Sequence, residues 1–131
     1  MASAIESKIG GVFIPVSNIE KARDWYCRLL ARPVAEEVLF GHLYVLAMRG
    51  STGLVLDSKD FAGPHASKPI FHFNSTDLAR AREHALANGA SDVSPIQDAA
   101  FFTFKDPDGN LLMVADVPPV TPLRDEEPGE A

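Results

Sequence analysis

His72 is the residue best placed to do chemistry, and the run around it sets its surroundings. In Ile70-Phe71-His72-Phe73-Asn74, extended backbone puts Ile70, His72 and Asn74 on one face and Phe71 and Phe73 on the other. An imidazole in a cleft titrates near neutrality, so His72 is a candidate catalytic proton shuttle or ligand contact. A half-buried histidine bonded to a neighbour is the plainer alternative. Cys27 is the lone cysteine and lies in a helical pattern with no histidine close in sequence, so nothing nearby would activate it as a nucleophile. His42 beside Gly41 and His65 in a loop read as surface residues, and His84 as a helix residue that packs or faces water. Of Glu36 and Glu37, one must face each side of an extended segment. Phe13, Tyr44, Met48, Phe102, Phe104 and Met113 supply apolar surface of the kind that lines a small-molecule pocket or packs a core.

The elements that must position these residues come in two similar copies. Val12-Phe13-Ile14-Pro15-Val16-Ser17-Asn18-Ile19 and the run from Phe71 to Leu78 each pass from a short apolar strand, through polar residues, into a helix. Asn18 then pairs with Asp77, Ile19 with Leu78, Lys21 with Arg80 and Ala22 with Ala81. Ser17 and Glu20 stand at capping-box spacing. Ile19, Ala22, Tyr26, Leu29 and Leu30 recur at helical intervals, and this helix should end before Pro33. Leu78, Ala81, Ala85 and Leu86 form the second stripe, with Gly89 where a left-handed residue suits a helix end. After each helix the pattern turns β-like, over about 33–40, 43–49 and 53–57, then 91–97, 100–105 and 110–117. Each copy therefore predicts βαβββ. Asp106-Pro107-Asp108-Gly109-Asn110 reads as a hairpin turn. The expected organisation is an α+β chain with one module over 1–57, a linker over 58–69, a second module over 70–117 and a Pro-rich acidic arm over 118–131.

Composition bounds the partners. Asp and Glu total 18 against 12 Lys and Arg, and no basic stripe gathers, so nucleic acid is not expected. The acidic balance weakly favours a cationic ligand. Asp125, Glu126, Glu127 and Glu130 concentrate part of that charge in the arm. No apolar run approaches the ~20 residues of a membrane span, and residues 1–11 lack a signal-peptide core. With a single cysteine and no intrachain disulfide, a reducing cytoplasmic setting is expected.

The duplicated βαβββ pattern, the Asn/Asp-led helix carrying Trp25-Tyr26, and Asp-Pro-Asp-Gly-Asn before the last strand together resemble the glyoxalase, bleomycin-resistance and ring-cleaving dioxygenase superfamily, the vicinal-oxygen-chelate proteins. The resemblance covers about residues 8–117. It implies that the strands curl into a mixed-sheet half-barrel cup with helices on the outer face, His72 pointing into the cup. Metal-dependent relatives carry His, Glu or Gln ligands on the first and fourth strands of each module, positions that fall on Gly11, Val55, Ile70 and Met113. None offers a nitrogen or oxygen side chain, and a Met thioether suits soft copper rather than Ni, Zn, Mn or Fe. The resemblance thus implies no metal or other cofactor, and binding of a small hydrophobic or aromatic molecule by Phe13, Tyr44, Met48, His72, Phe102, Phe104 and Met113. A homodimer is expected, because the relatives that bind bleomycin do so as dimers with grooves between chains. The alternative is a lyase or isomerase that uses His72 or a displaced metal site.

Overall fold

The computed structural model describes residues 3–118, 120, 121 and 123, so most of the expected acidic arm over 118–131 lies outside the described residues. The first half of the chain forms β1 (Gly11–Pro15), α1 (Ile19–Leu29), β2 (Leu43–Leu46) and β3 (Gly53–Asp57). The second half forms β4 (His72–Asn74), α2 (Leu78–Ala87), β5 (Phe101–Lys105) and β6 (Leu111–Ala115). The strands make two three-stranded mixed sheets, ordered β1-β3-β2 and β4-β6-β5. The central strands β3 and β6 pair parallel with β1 and β4 and antiparallel with β2 and β5. The two registers agree: Phe13 lies opposite Val55 and His72 opposite Met113.

Matching polar residues start the helices. Asn18 Oδ1 accepts the Lys21 N–H at 3.0 Å and Asp77 Oδ1 accepts the Arg80 N–H at 3.1 Å, each satisfying a donor that the first turn leaves free. Ser17, expected at capping-box spacing, sits one residue too early and gives its N–H and hydroxyl to Asp108 instead. α1 ends ahead of Pro33 with Ala31 at φ 52°, and α2 ends with Gly89 at φ 81°.

Each half is βαββ rather than βαβββ. Over 33–40 the structure has only the bridge between Leu39 and Leu43, and over 91–97 only bridges from Ser91 to Lys105 and from Gln97 to Phe101. Ladder pairing fails in the second segment because Asp92 adopts φ 48° and Pro95 has no N–H to give. In the first, Pro33 and the left-handed Phe40 (φ 52°) interrupt the run in the same way.

The helices pack on one face of the sheets. Ile14, Val16, Tyr44, Leu46, Leu54 and Leu56 meet Phe102, Phe104, Leu112 and Val114 in one buried cluster with Ile19, Trp25, Tyr26, Leu29, Leu78 and Ala85 from the helices. Fully burying a side chain of this kind contributes roughly 1.5–3 kcal/mol, so this shared core is the main tie between the halves. Three bonds add direction: Trp25 Nε1 to the Asn88 carbonyl at 2.7 Å, His84 Nε2 to the Leu29 carbonyl at 2.8 Å, and Asn110 Nδ2 to the Pro15 carbonyl at 2.8 Å. The opposite faces of the sheets stay open. Phe13 is 56% exposed there and Val45 is also exposed.

Candidate functional site

β1 and β4 are both edge strands, and both contribute to the lining of a cavity of about 850 Å3. Val12 of β1 and residues 71–74 supply two walls. Residues 30–32, just past α1, and residues 47–49 and 52–54, around the β2–β3 turn, supply the others. Because the cavity follows the edge of β4, side chains from both of its faces reach it: His72 and Asn74 from one, Phe71 and Phe73 from the other. The two phenylalanine rings meet edge to face with centroids 5.1 Å apart.

Of the expected ligand-contact residues, the structure brings Met48 and His72 together here. Phe13 and Met113 lie on the open sheet faces and do not line the cavity. Tyr44, Phe102 and Phe104 point the other way and are corrected to core residues, each at most 1% exposed. Sheet register gives the reason. Tyr44 stands opposite Leu56, which pairs on its other side with Ile14, while Phe102 and Phe104 stand opposite Val114 and Leu112, all on the helix-covered face. The open face of β2 and β5 instead carries Leu43, Val45, Phe101 and Thr103. Cys27 is buried and offers only a weak contact to the Pro33 carbonyl at 3.9 Å.

His72 is exposed, and its one bond is a long 3.4 Å contact from Nδ1 to the Phe73 carbonyl. Among the described residues no carboxylate lines the cavity to orient it, and the imidazole has no second acid–base group at hand there. The orienting carboxylate exists elsewhere: Asp57 Oδ1 lies 3.0 Å from Nδ1 of His42, a residue that sequence alone places on the surface. The Lys59 backbone N–H, assisted by His42, holds the Asp57 carboxyl below its ordinary range. That pair sits at the far end of β3 from the cavity-lining Gly53 and does not contribute to it.

The metal-ligand positions of the resembled family can be tested by their donors. Gly11 has no side chain, Val55 and Ile70 carry only hydrocarbon, and Met113 offers a thioether. The imidazole of His72 lies opposite Met113, yet among the described residues no three His, Cys, Asp or Glu side chains gather into a metal-holding group. These residues do not fit a hard or borderline divalent ion, which needs several nitrogen or oxygen donors.

A second, smaller cavity of about 400 Å3 lies between α1 and the turn at 106–108. The polar groups along its wall serve a buried network. Asp106 Oδ1 accepts the N–H groups of Asp108 at 2.9 Å and Asn110 at 2.8 Å. Its Oδ2 accepts Asn110 Nδ2 at 2.8 Å and the Tyr26 hydroxyl. Burial pushes the Tyr26 phenol well above the ordinary tyrosine range, and the Asp106 carboxylate adds to the shift.

The sequence profile of the Glyoxalase/Bleomycin resistance protein/Dioxygenase superfamily matches residues 8–114. A comparison with curated proteins finds no match. Among solved structures, the chain is similar to TnmS3, an antibiotic binding protein from a Streptomyces species. The two share 25% identity at a TM-score of 0.70, over 87% of this chain and 98% of that one. A glyoxalase/bleomycin resistance protein from the same species matches at 23% identity and a TM-score of 0.65, over 83% and 100%. One from Catenulispora acidiphila matches at 22% and 0.63, over 86% and 100%; these two likenesses speak to the fold.

Proposed function

The chain belongs to the glyoxalase/bleomycin resistance protein/dioxygenase superfamily, and on that premise we propose that it binds and sequesters a small hydrophobic or aromatic molecule without a metal ion. The observation that carries this reading is the cavity between the sheet edges. It has the volume of a small-molecule site, apolar walls of Val12, Leu30, Met48, Phe71 and Phe73, and a minority of polar side chains, Arg32, Arg49, Thr52, His72 and Asn74. Sequestration needs shape and apolar area but no reacting groups, which accords with Gly11, Val55, Ile70 and Met113 at the ligand positions and with His72 lacking a catalytic partner. His72 then serves as a ligand contact at the cavity mouth. The likeness to a protein described as antibiotic-binding supports the same class of ligand.

The open sheet faces suit a second copy of this chain. Phe13 and Val45 there, and Ile70 just ahead of β4, are exposed apolar residues of the kind that a homodimer covers. The cytoplasm is the compartment that suits the lone, reduced Cys27.

Titration with the uncharged fluorophore N-phenyl-1-naphthylamine tests the binding. Saturable enhancement at one dye per chain is expected, lost in Ala47→Trp, which fills the cavity from an exposed wall position. Unsaturable binding, or binding indifferent to Ala47→Trp, would contradict the proposal.

A further inference from the structure

We infer that the ligand of this cavity is an anion: an apolar ring system bearing an acidic group that Arg32 and Arg49 recognise. This rests on the cavity-binding reading above and narrows its ligand class. Two arginines, from separate connections, reach the one cavity. Arg32 follows α1 and is held there by its N–H on the Cys27 carbonyl at 2.8 Å. Arg49 sits in the β2–β3 turn, immediately before Gly50 at φ 87°. Among the described residues, neither guanidinium has an ion-pair or hydrogen-bond partner and no carboxylate lines the cavity. In a chain where acidic residues outnumber basic ones, 18 to 12, two unpaired cations at one apolar cavity are a local reversal of sign. The net charge, which taken alone favours a cationic ligand, is outweighed at this site.

Within the cavity lining, the end of α1 also opposes an anion, since a helix C-terminus carries about half a negative charge. Its carbonyls are already engaged. Tyr26 accepts from Leu30, Cys27 from Arg32, and Leu29 from His84. Two full guanidinium charges therefore dominate, and a guanidinium is the group that grips a carboxylate, sulfonate or phosphate by a planar fork. Phe71 and Phe73 supply an aromatic wall for the rings. His72 adds an imidazole at the mouth.

The experiment compares two dyes with one ring system, anionic 8-anilinonaphthalene-1-sulfonate and uncharged N-phenyl-1-naphthylamine. Arg32→Gln and Arg49→Gln should each weaken the sulfonate about 3- to 10-fold, the range for a partly exposed charged contact, and leave the neutral dye within about twofold. Salt raised from about 20 to about 300 mM should weaken only the sulfonate. Arg80→Gln, on the exposed start of α2 and remote from the cavity lining, should change neither. All three variants should melt as the parent does, because Arg32, Arg49 and Arg80 are exposed. If both dyes bind and neither substitution nor salt distinguishes them, the anion inference fails while the cavity-binding reading survives. If neither dye binds saturably, both fail.

Discussion

Replacing Asp106 by alanine removes the acceptor on which four donors converge: the Tyr26 hydroxyl, the backbone N–H groups of Asp108 and Asn110, and Asn110 Nδ2. Hydrogen bonds to a charged group contribute roughly 1.5–3 kcal/mol each, so the gross loss is on the order of 10 kcal/mol. The substitution also relieves a carboxylate that is only 2% exposed, whose burial costs several kcal/mol. The Asp108 N–H lies where water can partly reach, whereas Asn110 and Tyr26 are buried and keep unpaired donors. A net destabilisation of about 3 kcal/mol follows, which for a chain of this length lowers Tm by roughly 10 °C. The assay is urea and thermal unfolding of Asp106→Ala by circular dichroism. A change below about 0.5 kcal/mol, the scale of an ordinary surface substitution, would refute the reasoning that this network fastens the second hairpin turn to α1.

Tyr26→Phe should cost about 1–2 kcal/mol at neutral pH by removing one bond to a buried carboxylate. Because folding raises the Tyr26 pKa, its contribution is complete below about pH 10, the unfolded tyrosine value, and is lost as pH rises towards the folded value. The gap in Tm between parent and Tyr26→Phe should therefore narrow above about pH 10; a constant gap would contradict this. Phe13→Asp should convert a dimer to a monomer in sedimentation velocity, since it puts a charge on the open sheet face. A parent already monomeric at tens of micromolar would sink the dimer proposal. Elemental mass spectrometry of untagged protein should find less than about a tenth of a mole of divalent transition metal per mole, since a native site retains its ion. Stoichiometric metal would mean that residues other than Gly11, Val55, Ile70 and Met113 form a site.

Local signals were enough to read the fold. Asn18 and Asp77 cap because polar side chains before an apolar stripe satisfy free N–H groups, and Gly89 and Gly109 take the positive φ that their neighbours require. What misled was strand content after each helix. The 33–40 and 91–97 runs are apolar enough to suggest strands, but Pro33, Phe40, Asp92 and Pro95 break their pairing. The site was less legible. Alternation assigns two faces to a strand without saying which one a helix covers, so Tyr44, Phe102 and Phe104 read as pocket residues although they pack beneath α1 and α2. Arg32, Arg49, Phe71 and Phe73 were missed for a different reason. They meet only because β1 and β4 both contribute to the lining of one cavity, a juxtaposition that no spacing along the chain encodes.

The central claim, that a small apolar or aromatic molecule occupies the cavity between the sheet edges, is tested most directly by following backbone amide chemical shifts of 15N-labelled protein through a titration with N-phenyl-1-naphthylamine. The account predicts saturating shifts at residues 30–32, 47–49, 52–54 and 71–74, with Tyr44, Phe102 and Phe104 unmoved beneath the helices. Shifts confined to Phe13, Val45 and Met113 on the open sheet faces, or no saturating shift at all, would contradict it.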